Sequence, residues 1–348
     1  MKGEVVEDTM LAAVYEGDGE VAVRSLSAPQ PGPDEVVLEI SHCGICGSDL
    51  HFVVEGWSFA GAVHGHEYSG TIVATGSQVT DWAPGDRAVG GPGPGCGSCP
   101  PCRDGTAQLC LQRDQPGRAP SRGAWARYKL VRADHLHRVP DELDLRTAAL
   151  TEPLAVALRG VRRSGVGPGG RALVCGAGPI GLLTVAVLRA LDVDDVTVSE
   201  PSPLRRQLAR SVGATAVVTP DELVPPTSPM ALVAHPFDAA IECSGRPDAI
   251  VGALAQLGRG GVLVLSGTGM QRPPLEFLRV ILNELVITGA FEYTGADFAD
   301  AIALLASGRL PTDRLIEADD VPLGGVQRAV RRLAAGEIAG KVMVVPRG

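Results

Sequence analysis

Aromatic residues and basic runs are both scarce in this chain. Its 348 residues include three Trp, four Tyr and six Phe, so the core must be built mainly from aliphatic side chains. The net charge is −9 and the Lys and Arg residues are scattered, which disfavours a phosphate backbone or an anionic membrane surface as a partner. We therefore expect neither a nucleic-acid partner nor a membrane partner.

Signals for export and membrane insertion are also missing. The stretch MKGEVVEDTM carries acids where a secretory signal needs an apolar run. No later segment supplies the roughly 20 uninterrupted apolar residues of a membrane span. These absences predict a cytosolic protein. In that reducing compartment, clustered cysteines more often bind metal or do chemistry than form disulfides, and the chain has eight cysteines.

The length and the pattern of apolar residues predict two domains. Up to about Pro153, short alternating strands separated by Gly and Pro turns indicate a β-rich domain. From about Leu154 to Gly289, apolar runs alternate with helical stretches, which indicates a parallel sheet covered on both faces. Beyond Gly289 we expect one amphipathic helix from about Ala296 to Leu305, then polar links. A closing strand in AGKVMVVP would return to the first domain.

A glycine motif, GAGPIG, lies between the predicted strand RALVC and a predicted helix. In this context Gly176 permits a tight turn, Gly178 lets the backbone approach a pyrophosphate, and Gly181 allows close packing of helix and strand. The helix that begins near Pro179 and Ile180 would direct its positive N-terminal end at the phosphates. A dinucleotide site is predicted. The alternative is that the glycines merely form a strand-to-helix turn.

An acidic residue closes the next predicted strand, DVTVSE. Glu200 stands about 20 residues past the glycine motif, where a carboxylate binds the adenosine ribose hydroxyls and repels a 2′-phosphate. NAD is therefore favoured over NADP. Arg205 and Arg206 are evidence for NADP, although arginines at the start of a helix are more often solvated surface charges. Arg205 is kept as a candidate cofactor contact.

Four cysteines lie close together in GCGSCPPCRDGTAQLC. They are Cys96, Cys99, Cys102 and Cys110. Four thiolates at such spacing satisfy tetrahedral zinc and leave no open position, so the segment predicts a structural zinc site. Disulfides or an iron–sulfur cluster are the alternatives.

Two shorter polar clusters complete the pattern. They are Cys46, Ser48, Asp49 and His51 in ICGSDLH, and His66 with Glu67 in GHEYSG. With the four-cysteine segment, TEPLAVAL and GAGPIG, they make the chain resemble the zinc-containing medium-chain dehydrogenases from about Ala12 onward. The resemblance is greatest to the sorbitol, butanediol and threonine dehydrogenase branch. It implies an α/β fold in which a Rossmann doubly wound parallel sheet (154–289) joins a β-rich GroES-like catalytic domain (1–153 and 290–348).

The resemblance also implies a catalytic zinc. Cys46 and His66 match zinc ligands of the family. Glu67 and Glu152 match carboxylates of the polyol branch, one of which reaches the zinc directly or through water. Other alcohol dehydrogenases carry a cysteine at the position of Glu152, so the glutamate favours the polyol-like branch. Alternatively, Glu152 is an ordinary residue at the start of a helix.

The implied activity is hydride transfer from a secondary alcohol, diol, sugar alcohol or cyclitol to NAD⁺, with zinc as the Lewis acid. Ser48 and His51 match the family's proton relay, and Asp49 is expected to hydrogen-bond a ligating histidine. Ser48 could instead cap the helix at SDLH. An NADP-linked reductase is the alternative within the family. A catalytically silent zinc protein is the alternative from another class.

Some residues depart from the family pattern or stay open. His64 stands where the family has an aliphatic residue, so it could shape the pocket or reach the zinc. Glu292 replaces an arginine that contacts the polyol in sorbitol dehydrogenases, which argues against sorbitol as substrate. Trp57, Phe59 and Phe291 are candidate pocket walls. An exposed sheet edge at LVITGAF would suit a homodimer, and the polyol branch is usually tetrameric.

Overall fold

A computed structural model describes residues 7–91, 93, 95–113 and 122–347. The described residues form two compact units. The first contains the described residues up to Glu152, Phe298–Ser307, and the described residues from Ile316 onward. The second contains Pro153–Asp297 and Gly308–Leu315. The chain thus leaves the first unit after Glu152, re-enters it at Phe298, and passes once more through the second unit before Ile316.

The N-terminal part consists mainly of short strands. The strands are β1 Thr9–Gly17, β2 Glu20–Ser27, β3 Glu35–Gly44, β4 Ala62–Val63, β5 Glu67–Thr75, β6 Arg87–Gly90, β7 Tyr128–Arg132 and β8 Leu136–Arg138. The helices between and after them are α1 Gly47–Val54, α2 Pro100–Arg103 and α3 Leu145–Ala148. Strand β2 was not predicted. It pairs antiparallel with β1, and its side chains are half-buried or exposed, so its sequence has no clear apolar face.

The middle part alternates helices and strands, as predicted. Its strands are β9 Arg171–Cys175, β10 Asp195–Ser199, β11 Ala216–Val218, β12 Phe237–Glu242, β13 Leu257–Leu265 and β14 Val286–Gly289. Its helices are α4 Thr151–Ser164, α5 Pro179–Ala190, α6 Pro203–Ser211, α7 Pro247–Gln256 and α8 Phe277–Leu282. The six strands form one parallel sheet in the order β11-β10-β9-β12-β13-β14. Consecutive residues of β9 are fully buried, which shows that both faces of this strand are covered.

The C-terminal part contains more structure than the sequence predicted. Its elements are α9 Gly295–Ala306, α10 Thr312–Leu315, β15 Val321–Pro322, α11 Val326–Ala334 and β16 Met343–Val345. Helix α9 and the closing strand were predicted, but the expectation that only polar links lie between them was wrong. In α11 the buried residues Val326, Ala329, Val330 and Leu333 follow the i, i+3, i+4, i+7 spacing of an amphipathic helix. Three arginines on its other face gave the segment the composition of a polar link.

The large sheet of the first unit brings distant segments to one end. Its order is β15-β16-β3-β5-β6-β8, and β7 also pairs with β3. Gly44, the last residue of β3, lies opposite both Glu67 of β5 and Met343 of β16. The residues that follow β3, begin β5 and precede β16 therefore meet at the same sheet end. Among the described residues, no helix combines the length and apolarity needed to cross a bilayer.

Candidate functional site

Cys46, His66 and Glu67 converge at this end of the first unit's sheet. One potential ligand atom from each lies within 4.8 Å of the others. Cys46 is the N-cap of α1, just beyond β3, while His66 and Glu67 stand at the start of β5. The antiparallel pairing of β3 with β5 thus brings together side chains that are 20 residues apart in the sequence.

Glu67 is fully buried and is paired with a lysine that the sequence analysis missed. Its Oε1 accepts a hydrogen bond from Lys341 Nζ at 2.6 Å, and the same ammonium donates to the Ile45 carbonyl at 3.1 Å. Lys341 therefore bridges the segment before Cys46 and the carboxylate after His66. Gly44 leaves room for this carboxylate, because a Cβ there would lie 2.0 Å from Glu67 Oε2.

The three side chains fit a zinc ion. Thiolate, imidazole and carboxylate are the ligand types that zinc takes in proteins. Glu67 Oε2 is buried and has no hydrogen-bond partner among the described residues, which is unusual for a carboxylate oxygen unless a cation completes its contacts. Cys46, His66 and Glu67 are therefore the residues that would hold the catalytic zinc.

Asp49 organises the start of α1 rather than hydrogen-bonding the ligating histidine. Its Oδ2 accepts the backbone N–H of Cys46 at 2.9 Å. Its Oδ1 lies 3.8 Å from His66 Nδ1, which is beyond hydrogen-bond distance. The alternative in which Ser48 caps the helix is wrong. The helix begins at Gly47 with Cys46 as N-cap, so Ser48 already lies inside the first turn.

Negative groups surround His66 and shift the pKa values of the site. Burial lowers the pKa of His66, but electrostatic interactions with Cys46 and Asp49 outweigh burial and raise it well above its usual value. Burial raises the pKa of Asp49. For Lys341, burial lowers the pKa while Glu67 raises it, and the net shift is upward. The arrangement favours positive charge at its centre.

Glu152 lies near this group but outside it. It is buried in the first turn of α4, and its charge raises the pKa of both His66 and Lys341. Among the described residues, the set within 4.8 Å contains Cys46, His66 and Glu67 and not Glu152. A role for Glu152 at the zinc, direct or through water, stays a prediction.

The two predicted relay residues share α1. His51 Nδ1 is 2.8 Å from Glu55 Oε1, one helical turn later, and its ring stacks on Trp57 at 4.8 Å between centroids. If Nδ1 donates to Glu55, Nε2 is the nitrogen that can accept a proton. Ser48 lies in the first turn of the same helix. Trp57 and Phe59 are both partly exposed, which leaves their predicted role as pocket walls open.

His64 packs in the core and is not part of the three-residue group. Its ring stacks on Phe52 with centroids 5.1 Å apart and contacts Tyr15 and Trp125 edge-on. Burial lowers its pKa, which favours the neutral ring. These contacts assign His64 to aromatic packing behind the site rather than to metal binding.

The four-cysteine segment forms a compact cluster of sulfurs. Cys99 Sγ is 3.4 Å from Cys102 Sγ and 3.9 Å from Cys110 Sγ, and Cys96 Sγ is 3.9 Å from Cys102 Sγ. Zinc bonds of about 2.3 Å in a tetrahedron place sulfurs about 3.8 Å apart, whereas a disulfide requires about 2.05 Å. The sulfurs are thus spaced for one zinc ion. Gly95 leaves room for them, since a Cβ there would lie 2.8 Å from Cys102 Sγ.

Hydrogen bonds prepare part of the sulfur cluster for metal binding. Bonds from Ser98 and from the backbone N–H of Cys99 lower the pKa of Cys96 to about 5. The Cys96 N–H donates in turn to Cys110 Sγ at 3.3 Å. Burial and the neighbouring Cys99 raise the pKa of Cys102 to about 11. Backbone hydrogen bonds from Leu111 and Cys102 also lower the pKa of Cys99. Thiolate is therefore available at neutral pH to begin capturing the ion, which must itself displace the proton of Cys102.

The glycine motif has the geometry expected of a dinucleotide-binding loop. Gly176 follows β9 with φ +91°, and Gly178 caps α5, which begins at Pro179 and continues through Ile180. A Cβ at Gly181 would lie 1.9 Å from the Gly176 carbonyl oxygen, so only glycine allows this approach of helix and loop.

Glu200 is buried at the end of β10 and fixes the glycine motif. Its carboxylate accepts the N–H of Ala177 at 2.7 Å and that of Ser202 at 2.8 Å. Arg206 donates to the carbonyls of Glu200 and Pro201, so its guanidinium has a local structural role. Each carboxylate oxygen of Glu200 keeps a second lone pair for a ribose hydroxyl.

Arg205 and Glu292 flank separate loops of the second unit. The N–H of Arg205 donates to Ser202 Oγ at the start of α6 at 3.5 Å. Glu292 follows β14 with φ +47°, a backbone conformation that non-glycine residues seldom adopt outside functional or tightly constrained loops. A cofactor contact of Arg205 and a substrate contact of Glu292 stay predictions.

Comparison with known proteins places the chain in a family. Residues 32–141 match the alcohol dehydrogenase GroES-like domain, and residues 179–307 match the zinc-binding dehydrogenase model. Sorbitol dehydrogenase of Bacillus subtilis (strain 168) is 34% identical, covering 98% of both chains.

Solved structures give the same relationship. Galactitol-1-phosphate dehydrogenase of Escherichia coli has a TM-score of 0.87 at 28% identity, covering 97% of this chain and 100% of that one. A Sinorhizobium meliloti 1021 protein assigned to the zinc-binding dehydrogenases, in a crystal structure with NADP, also has a TM-score of 0.87, at 32% identity over 98% and 100% of the two chains. These relationships confirm the predicted α/β fold, with its GroES-like and Rossmann parts, and the predicted reaction class. The chain belongs to the zinc-binding alcohol dehydrogenase family, and within it resembles the sorbitol dehydrogenase-like branch.

Proposed function

We propose that the protein oxidises a secondary alcohol, vicinal diol, sugar alcohol or cyclitol with NAD⁺ as hydride acceptor. It is a zinc-dependent, NAD(P)-linked oxidoreductase that acts on CH–OH groups of a small molecule. The observation that carries the proposal is the convergence of Cys46, His66 and Glu67, with one buried carboxylate oxygen of Glu67 left for a cation.

The residues around this group supply binding and proton transfer. When bound, zinc would supply Lewis acidity to the substrate hydroxyl. Cys46, His66 and Glu67 would hold the ion, and Asp49 fixes Cys46 by accepting its N–H. Ser48 and His51 would receive and pass on the hydroxyl proton, with Glu55 holding Nδ1 of His51 so that Nε2 is the accepting atom. The four other cysteines would hold a second, structural zinc.

The negative charges of Glu292 and Glu200 limit which substrates and which nicotinamide cofactor we expect. The relatives include a sorbitol and a galactitol-1-phosphate dehydrogenase, so polyols are the substrate class we expect. Glu292, which replaces the polyol-contacting arginine of sorbitol dehydrogenases, would repel a phosphate and suits a neutral or amino-bearing alcohol. Glu200 would likewise repel a 2′-phosphate, which supports NAD over NADP.

The second unit also has features that support a homodimer. In α8, Phe277 and Ile281 are 73% and 69% exposed, whereas Arg279 is 2% exposed. The Arg279 guanidinium donates to the carbonyls of Ala231, Leu254, Ala255 and Leu257, which anchors the helix with its apolar side outward. Strand β14 ends the sheet, and Val286 on it is half exposed. We propose that a second copy covers this surface, and that the protein resides in the cytosol.

The activity is tested with a panel of secondary alcohols and polyols, read as NADH absorbance, with NAD⁺ and NADP⁺ compared side by side. His66→Ala should abolish turnover and reduce the zinc content from about two ions per chain to about one, because the four-cysteine site is separate. His135→Ala, a half-buried histidine beside Asp134, is the matched control and should keep both zincs and full activity. Undiminished turnover in His66→Ala would contradict the proposed site.

A further inference from the structure

Three loops of the second unit meet at the carboxyl ends of β9, β12 and β13. In the sheet order β11-β10-β9-β12-β13-β14, the strands β10 and β11 continue from one side of β9, and β12 to β14 from the other. The order therefore reverses between β9 and β12. In open α/β sheets the crevice at such a reversal, outside the carboxyl ends of the strands, is where ligands bind.

Glu242, the last residue of β12, is fully buried at the centre of these loops. Its Oε1 accepts the N–H of Ser244 at 2.7 Å and that of Gly245 at 3.0 Å, and the Ser244 hydroxyl donates to the same oxygen. Its backbone carbonyl accepts the N–H groups of Ser266 and Gly267, each at 2.9 Å. One residue thus fixes both the loop after β12 and the loop after β13.

The carboxylate of Glu242 has no cationic partner in any ion pair among the described residues. Burial raises its pKa, while the hydrogen bonds from Ser244 and Gly245 lower it and the net shift is upward. An apolar side chain would pack at a strand end without this desolvation cost. Because burying the carboxylate carries this desolvation cost, we infer that its hydrogen bonds to Ser244 and Gly245 are kept for the backbone geometry that they impose.

The loops approach each other too closely for any side chain between them. A Cβ on Gly245 would lie 2.2 Å from the Thr268 carbonyl oxygen, and one on Gly267 would lie 2.2 Å from the Gly245 nitrogen. On the other side, a Cβ on Gly176 would lie 3.0 Å from Ser244 Cβ. Ser244 is therefore held directly against the first glycine of the GAGPIG motif.

One polar atom at this junction lacks a partner. Ser266 Oγ is shielded from solvent and forms no hydrogen bond with the described residues. Ser266 begins the loop after β13, and its N–H is bound to the Glu242 carbonyl. A buried hydroxyl seldom lacks a hydrogen-bond partner, so we take a ligand of the crevice to supply one.

We infer that Glu242 is a positioning residue of the cofactor site. Its carboxylate holds Ser244 against Gly176 and so sets the width of the crevice beside the glycine motif, while its carbonyl presents the Ser266 hydroxyl as a cofactor contact. The inference rests on the proposed function, because it takes the ligand of this crevice to be the nicotinamide dinucleotide.

The test is Glu242→Gln in the full-length, zinc-loaded protein. The amide keeps the size of the side chain but places an NH₂ group against the N–H donors of Ser244 or Gly245. NADH binding, measured by the fluorescence of the bound cofactor, should weaken by about tenfold or more, the loss expected from one broken hydrogen bond to a charged group. The KM for NAD⁺ should rise with it, while the KM for the alcohol and the zinc content stay unchanged.

Asp238→Asn is the matched control, because Asp238 lies near the opposite end of β12 and its carboxylate accepts the N–H of Arg171 at 2.8 Å. It should leave NADH binding unchanged. If Glu242→Gln lowers the melting temperature but binds NADH as the wild type does, Glu242 is only structural and the inference is overturned.

Two further variants keep the test decisive if Glu242→Gln does not fold. Ser244→Ala removes the hydroxyl held by the carboxylate, and Ser266→Ala removes the proposed cofactor contact. Both should weaken NADH binding, and unchanged binding in both would overturn the inference. A wild-type protein that binds no NADH would instead refute the proposed function, and the inference with it.

Discussion

At the scale of single residues, the pairing of Lys341 with Glu67 has consequences for both stability and metal binding. Both side chains are almost entirely buried, and the ammonium also holds the carbonyl that precedes Cys46. A buried charge is tolerated when its partner is present and is costly when the partner is removed. The pair therefore acts as a unit, and the effect of losing either member depends on the other.

Lys341→Met should lower the free energy of unfolding by about 3 kcal/mol, because it leaves Glu67 charged and buried without its partner. The double variant Glu67→Gln with Lys341→Met should lose less than the sum of the two single changes. Urea unfolding of the metal-free proteins measures both. Arg246→Met, which breaks the exposed pair with Asp248, is the control and should cost about 0–1 kcal/mol. Strict additivity of the buried pair would contradict the expectation.

At the scale of elements, α11 is an amphipathic helix whose polar composition led to the prediction of a link. Its buried residues Val330 and Leu333 face the core of the first unit, while Arg331 forms an exposed pair with Glu20. The sequence predicted only polar links here, but its apolar residues recur with a helical period. Packing against α1 and β2 gives the segment its structure.

Leu333→Ala should destabilise the protein by about 2 kcal/mol, since it removes buried apolar volume. Arg331→Ala on the opposite face should cost about 0–1 kcal/mol, the range for an exposed ion pair. Thermal unfolding of both variants checks the difference. Equal losses would mean that α11 does not contribute to the core in the way described.

The features that the sequence predicted are local along the chain, whereas those it did not predict depend on contacts between distant residues. The parallel sheet, the glycine motif and the cysteine cluster were predicted, because each is written in a local pattern with a known geometry. Lys341 was not, since it is 274 residues from Glu67 and no spacing links them. Lysine is rare in this chain, with three in 348 residues, and a lone lysine in an apolar stretch was the one available signal. Glu242 was missed for a similar reason, as the fold alone brings its carbonyl to the N–H groups of Ser266 and Gly267 in another loop.

At the scale of the whole molecule, the second unit exposes apolar surface that a monomer would leave in water. Strand β14 ends the sheet order, and α8, which precedes it in the chain, is anchored on its buried side by Arg279. Interfaces related by a two-fold axis use one patch twice, so an edge strand can pair with its own copy. A contact of this kind would extend the six-stranded sheet across two chains.

Replacing Phe277 and Ile281 together by Asp should shift the protein toward monomers, because two charges would then be buried in the interface. Sedimentation velocity measures the change. Leu204→Asp, at a side chain that is 49% exposed on α6, which packs against β11 at the opposite end of the sheet order, should leave the oligomeric state unaltered. A wild type that sediments as a monomer would refute the dimer without affecting the proposed activity.

The bridge made by Lys341 also affects the order in which the catalytic site forms during synthesis. Cys46, His66 and Glu67 leave the ribosome early, but their lysine follows 274 residues after Glu67, or about 15–55 s later at ordinary elongation rates. The whole run from Pro153 to Asp297 is synthesised in that interval and can fold as its own unit. Until β16 docks beside β3, the nascent zinc pocket carries an unbalanced negative charge. The arrangement in which Lys341 bridges the Ile45 carbonyl and Glu67 can therefore form only after β16 has been synthesised, whereas the four-cysteine cluster can form while the chain is still growing.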